Sequence, residues 1–261
     1  MKNLLITLFR VLNPQLSGQV ARGICALAVM TKAPLAGQVK TRLVPPLTAD
    51  EAAELNKCFL LDTTTAISTA IISNQARGVA VYAPIGAESA YAGLLPAGFS
   101  LLPQRGTGFG ERLYYATDDL FKSGFASVCL IDSDSPTVPA SSFSQAVREL
   151  ADWGDRVVLG PSDDGGYYLI GLKKPHRELF VRIDWSTERV LDQTVDRATD
   201  LGLDVNLLPA GYDVDDAEGL GRLCDELLGD KLTSPGDIAP NTRRFLSEIV
   251  AQEGRGRIWP Q

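Results

Sequence analysis

The sequence predicts an α/β domain with a mainly parallel sheet flanked by helices. Short continuous apolar runs, such as residues 24–30 and 128–131, have the length of strands buried on both faces. Segments of ten or more residues with helical start signals separate them. Glycine, proline and acidic residues follow most of the apolar runs, which puts polar loops where open α/β sheets bind ligands. No internal repeat, low-complexity tract or linker interrupts the 261 residues. One domain is therefore expected over 23–230, preceded by an extension, 1–22, and followed by a tail, 231–261, that packs on the domain.

Taken in order, residues 24–30 form the first strand, and a loop over 31–43 follows it. Thr48 and Glu51 have capping-box spacing and open a long helix to about Ser73. Residues 79–83 read as the next strand, and 86–103 as a less regular stretch with a short helix and a strand near Leu101. A glycine loop at 106–112 enters a helix running through Phe121. Residues 128–131 are a strand closed by Asp132, Ser133, Asp134, Ser135 and Pro136. A helix over 141–151, strands over 156–160 and 167–171, and a turn at 161–166 follow. Ser186 suits the cap of a helix to about Leu201. A strand over 203–208 leads through Asp213 and Asp215 to a helix ending near Leu228.

Composition narrows the function. The chain carries a net charge of −7, and its first 22 residues hold three basic groups and no acid. The acidic remainder is a poor binder of nucleic acid, which needs basic surface. Cys25, Cys58, Cys129 and Cys224 lie far apart with no C-x-x-C pair, as expected of core thiols in a reducing compartment such as the cytoplasm. A single histidine, His176, argues against a Ser-His-Asp triad or a multi-histidine zinc site, and reads as a surface-loop residue. No apolar run reaches the 18 or so residues of a membrane span. Residues 1–12 look like a short signal peptide, but Arg10 breaks the apolar stretch, so an amphipathic helix or a disordered extension is expected.

Chemistry concentrates in the loops. Asp132 and Asp134 stand two residues apart on extended chain, so both face one spot. Hard oxygens there suit Mg²⁺ or Mn²⁺ that also holds phosphate, although a capped strand end uses the same residues. In the first loop, Gly37 lets backbone approach a ligand, and Lys32, Lys40 and Arg42 suit a diphosphate. The loop is neither a P-loop nor a dinucleotide fingerprint. Gly110 and Arg112 begin a helix whose amides suit an anion or a base edge. Asp164, Gly165 and Gly166 fit a plain hairpin turn, and fit equally a carboxylate offered to a substrate hydroxyl or to the metal. Asp213 and Asp215 form a second D-x-D that would complete an octahedral shell, while Asp215 or Asp216 also suits a helix cap. Trp185 is either a core residue or a ligand platform.

Together, K-A-P-x-x-G-x-V-K-T-R-L at 32–43, G-x-G-E-R at 108–112, S-D-S-P-T at 133–137, G-P-S-D-D-G-G-Y-Y-L-I-G-L at 160–172, W-S-T at 185–187 and Y-D-V-D at 212–215 resemble a family. It is the bacterial glycosyltransferase-like family named for its association with radical-SAM and selenodomain proteins. The resemblance implies a single GT-A domain, the nucleotide-diphospho-sugar transferase architecture. It implies Asp134 as the metal candidate, because the family often has glycine at the position of Asp132, which leaves Asp132 a ribose-binding role or none. The 23 residues before Ile24 fall outside the resemblance. The K-T-R-L motif and the Gly165–Gly166 turn are also similar to 2-phospholactate guanylyltransferases, which join an NTP to a phosphorylated acid.

The expectation is a metal-dependent glycosyltransferase-like enzyme with a nucleotide-diphosphate sugar donor and a small acceptor. Lys32, Gly37, Lys40, Arg42, Gly110, Arg112 and Asp132 would bind the nucleotide, and Asp134, Asp213 and Asp215 the Mg²⁺ or Mn²⁺. Asp164 would be catalytic, with Gly165, Gly166 and Trp185 at the substrate. The alternatives are a nucleotidyltransferase releasing pyrophosphate and a non-catalytic nucleotide-binding protein.

Overall fold

A computed structural model describes residues 9–16, 18, 20–71, 75–229 and 238–259 of the chain. Eight strands form one sheet: β1 (Arg10–Val11), β2 (Cys25–Lys32), β3 (Ala76–Ala83), β4 (Ser100–Pro103), β5 (Ser127–Ile131), β6 (Arg156–Pro161), β7 (Tyr167–Leu172) and β8 (Asp204–Leu207). Their order across the sheet is β1-β4-β3-β2-β5-β7-β6-β8. All neighbours pair in parallel except β7, which runs antiparallel to both β5 and β6. The expected α/β class and mainly parallel sheet are what the chain adopts. The exception follows from the short turn at 162–166, because a connection that short can only return the chain antiparallel.

Six α-helices are present among the described residues, the first four of them on the sheet: α1 (Ala49–Ala70), α2 (Phe109–Lys122), α3 (Ala140–Ala151), α4 (Val190–Asp200), α5 (Ala217–Leu228) and α6 (Pro240–Glu253). The central strands are apolar throughout because both faces are covered. One face packs Leu27, Val29, Ile131 and Leu169 under α1 and α3, through Leu60, Ile67, Phe143 and Leu150. The other packs Ala28, Val81, Leu130 and Ile170 under α2 and α4, through Leu113, Leu120 and Ala198. A third apolar layer joins α1, α5 and α6 through Phe59, Leu223, Leu246 and Ile249, closed by Ile258 and Trp259. The tail from Ile238 onward therefore packs on the helices. All four cysteines are buried and unpaired.

Helix starts follow their sequence signals. Thr48 and Glu51 make the reciprocal capping box of α1. Asp62, buried within α1, accepts from the Asn241 and Thr242 amides at 3.0 and 2.8 Å and so caps α6 from outside. Asp216 caps α5 by accepting from Gly219 N at 3.0 Å.

Two expectations are corrected. Residues 10–11, placed in a helix or a disordered extension, are an edge strand on β4, with Leu12 buried beside it. Phe9, Val11 and Leu12 carry an apolar pattern that short strands share with helices. The expectations for residues 1–8 and 231–237 fall outside the described residues. Ser186 is not a helix cap: it has φ +64°, and α4 begins only at Val190. His176 sits in a loop as expected, but its Nε2 lies 3.1 Å from Asp155 Oδ2 in a partly buried pair.

Candidate functional site

β2, β3, β4, β5 and β6 all point their C-terminal ends at one edge of the sheet, and the loops leaving that edge carry the predicted motifs. β5 ends at Ile131, so Asp132 and Asp134 stand at its mouth. The 208–216 segment passes beside them, with Val214 N donating to Asp134 O at 3.0 Å. That link brings the two D-x-D pairs together.

Lys40 lies between them. Its ammonium is 2.7 Å from Asp134 Oδ1 and 3.0 Å from Asp215 Oδ1, and donates to Val214 O at 2.8 Å. Its side chain is 5% exposed, while those of Asp134 and Asp215 are 35% and 45% exposed. Burial opposes the lysine's charge, yet the two carboxylates outweigh it and hold the ammonium above its ordinary range. Lys40 is thus built into the carboxylate cluster and stands apart from Lys32. Lys32 ends β2 exposed, with no hydrogen bond or ion pair from its side chain among the described residues. Arg42 is 69% exposed and reaches Asp215 at 3.8 Å and Asp216 at 3.4 Å. Gly37, with φ +73°, turns the exposed loop between these cations.

The carboxylates differ in role. Asp132 is partly buried and accepts from Ser135 Oγ at 2.7 Å. Burial, then the charge of Asp134, pushes its carboxyl well above the usual range. Asp213 accepts from Ser162 Oγ at 3.4 Å, and burial, then Asp164 and Asp215, pushes it up to about 6. Mutual repulsion means that these negative charges converge on one region. Sequence reasoning did not single out Ser135 or Ser162 as supports. Ser135, three residues after Asp132, had the spacing of a local side-chain bond, whereas nothing in the sequence linked Ser162 to Asp213.

Asp164 crowns the β6–β7 turn, exposed, accepting from Gly166 N at 2.9 Å. Gly165 has φ +85°, and a Cβ there would lie 2.2 Å from Glu188 O. The turn thereby seats the 184–191 segment, whose Leu191 N donates to Gly165 O at 2.8 Å. The same segment carries Trp185 to Gly110, where a Cβ would meet the indole Nε1 at 2.6 Å. Trp185 also lies edge-on to Phe109, with ring centroids 5.1 Å apart. Trp185 is partly core and partly the wall behind Phe109, which is itself half exposed at the start of α2. Arg112 belongs to the same wall, and its Nε is buried without a hydrogen-bond partner among the described residues.

The donor set fits a hard divalent cation. Its atoms are carboxylate oxygens, two of the carboxylates open to solvent, in a region of excess negative charge. As the side chains stand, no three Asp, Glu, His or Cys residues among the described residues are grouped so as to hold a metal ion by themselves. A cation here would take one or two carboxylates and complete its shell with water and ligand oxygens, as Mg²⁺ does. A cavity of about 900 Å³, lined by Thr137, Tyr168, Tyr212, Arg222, Arg255 and Trp259 among others, contains none of these carboxylates. Its polar groups largely satisfy one another: Trp259 Nε1 donates to Asp225, and Tyr212 Oη to Glu226.

This sheet order, with ligand groups at its C-terminal edge, defines the nucleotide-diphospho-sugar transferase fold. Residues 66–187 match the family described as "Uncharacterized protein conserved in bacteria (DUF2064)". That stretch holds Gly110, Arg112, Asp132, Asp134, the 162–166 turn and Trp185, and leaves Lys40, Asp213 and Asp215 outside it. The structure of a provisionally assigned nucleotide-diphospho-sugar transferase from Desulfovibrio desulfuricans G20 is similar, with 29% identity, coverage of 88% of this chain and 96% of its own, and a TM-score of 0.75. More distant is a cytidylyltransferase from Leptospira borgpetersenii, at 10% identity, covering 92% of this chain and 98% of its own, with a TM-score of 0.49. So is glucosyl-3-phosphoglycerate synthase from Mycobacterium tuberculosis, solved with Mn²⁺, UDP and glucosyl-3-phosphoglycerate, at 12% identity, 92% and 82% coverage and a TM-score of 0.47. No curated protein matches the chain in sequence. No helix among the described residues is long and apolar enough to cross a membrane.

Proposed function

We propose that the chain is a transferase that takes a nucleotide-diphosphate sugar as donor, with a divalent cation, and passes the sugar to a small acceptor. The observation that carries this reading is the convergence of Asp134, Asp213 and Asp215 at the mouth of β5, in a fold shared with a nucleotide-diphospho-sugar transferase. Loss of a nucleoside diphosphate builds negative charge on the leaving phosphates, so the residues beside them must be cationic. Lys32, exposed and without a side-chain partner among the described residues, and Arg42, only loosely held, would meet that charge. Bound Mg²⁺ or Mn²⁺ would add Lewis-acid neutralisation of the same phosphates. Asp134 and Asp215, the two open carboxylates, would hold it, with Asp213 beside them.

Asp164 stands exposed on its turn and close enough to Asp213 to raise its pKa. With one oxygen held by Gly166 N, its other oxygen is available to orient an acceptor hydroxyl and take its proton. Phe109 and Trp185 supply aromatic surface for a base or a sugar, with Arg112 beside Phe109. Asp132, partly buried and bonded to Ser135, supports the loop from below.

The deciding experiment is a thermal-shift screen of nucleotides and nucleotide sugars with and without Mn²⁺. A nucleotide-diphosphate sugar should raise Tm only with Mn²⁺, and Asp134→Asn should abolish that rise while leaving the ligand-free Tm within a few degrees. A preference for an NTP with pyrophosphate release would instead make the chain a nucleotidyltransferase. Stabilisation independent of metal would refute the cation site.

A further inference from the structure

We propose that Lys40 is a positioning residue: from the protein interior it grips one oxygen of Asp134 and one of Asp215, and so holds the two carboxylates together at the mouth of β5, where the cation would be held. This rests on the cation site proposed above. The geometry supports it in three ways. An ammonium has three N–H donors, and Lys40 spends them on Asp134 Oδ1, Asp215 Oδ1 and Val214 O at 2.7, 3.0 and 2.8 Å. None remains for a substrate phosphate. The lysine is almost fully buried whereas both carboxylates are partly open, so it approaches from beneath, while on the solvent side Arg42 stands 3.8 Å from Asp215 Oδ2. The Phe59 ring, 5.5 Å from the ammonium, forms part of its floor.

The backbone is shaped for this placement. Lys40 has φ +48°, a left-handed conformation uncommon for a residue with a side chain, and such strain persists only where surrounding contacts over-determine it. The contacts join residues 174 and 175 positions apart. One side chain thus fixes the β5 loop against the segment entering α5, and the two cationic roles separate: Lys40 orders the carboxylates, while Lys32 and Arg42 are left to meet the substrate.

The sign of one measurement decides the matter. Removing a positive charge beside a cation site by itself strengthens cation binding, whereas losing the alignment of the carboxylates weakens it. Binding of Mn²⁺ alone, followed by the electron paramagnetic resonance of the free ion, should weaken about tenfold or more in Lys40→Met, and Lys40→Arg should restore part of it. Equal or tighter binding in Lys40→Met overturns the proposal. Amine acetylation of the wild type, read by mass spectrometry, gives an answer without a variant. Lys32 should be labelled, and Lys40 should stay protected with and without Mn²⁺ and nucleotide. Labelling of Lys40 induced by either ligand overturns the proposal. A wild type that binds Mn²⁺ while Lys40→Met binds it equally refutes the role of Lys40 alone; a wild type that binds no Mn²⁺ refutes the cation site as well.

Discussion

Asp213 is an unusually costly residue for this fold to keep ionised. Its carboxyl is pushed up to about 6 by burial and by Asp164 and Asp215. A carboxyl whose folded pKa exceeds its unfolded value favours the fold while protonated, and that support is lost as pH rises from about 4 through 6. Asp213→Asn should therefore raise the cation-free Tm at pH 8 and leave it nearly unchanged at pH 4, while lowering activity. Melting curves at the two pH values check it, and a lower Tm at pH 8 would show that the repulsion is absent. At this scale the sequence was half legible. The D-x-D pairs named Asp134, Asp213 and Asp215, but spacing treated Asp132 as their equal, whereas its lone-pair partner is Ser135. It also grouped Lys40 with Lys32 and Arg42, because the left-handed backbone that turns Lys40 inward leaves no mark in composition.

At the scale of elements, strands were read where apolar runs were continuous, and β2, β3, β5, β6 and β7 lie within a few residues of their expected bounds. β1 was missed, since two residues of edge strand carry no period, and their pairing depends on β4, about 90 positions away. The start of α4 was misplaced because Ser186 is committed to the strained segment that seats Trp185. The first helix illustrates an end that sequence and structure agree upon. Glu51 caps α1 and also binds Arg257 from the far end of the chain. Its carboxyl is held down to about 2, chiefly by the Arg257 hydrogen bond. A depressed folded pKa gives stability that is present above the unfolded value near 4.3 and vanishes as pH falls toward 2. Glu51→Gln should therefore melt below the wild type at pH 7, with the gap closing between pH 4 and 2. A gap that persists at pH 2 would mean that the packing of α1, and not the charge, had changed.

At the scale of the whole molecule, α6 and the residues after it belong to the domain. Leu246, Ile249, Ile258 and Trp259 are buried against α1 and α5, and Asp62 spends its carboxylate on the first amides of α6. Burial of each such side chain contributes about 1.5–3 kcal/mol. Truncation after residue 238 should accordingly yield an aggregating or partly unfolded chain. Size-exclusion chromatography and calorimetry distinguish the outcomes, and a soluble, cooperative truncation at 238 would show that α6 is dispensable. The fold class was open to sequence reasoning because it rests on local periods. The site was only partly so, because its contacts join loops that nothing in the local sequence links.

The reach of those contacts has a consequence for biosynthesis. The carboxylate cluster takes Lys40 from the first strand's loop, Asp134 from the middle of the chain and Asp215 from the approach to α5. A ribosome must release nearly the entire domain before the three can meet. Until then Asp134 and Asp215 have no counter-ion in common, and the cluster that would hold a cation is incomplete. Cation affinity would consequently emerge late and all at once, as a certificate of completed folding, and a bound cation would stabilise only the finished molecule.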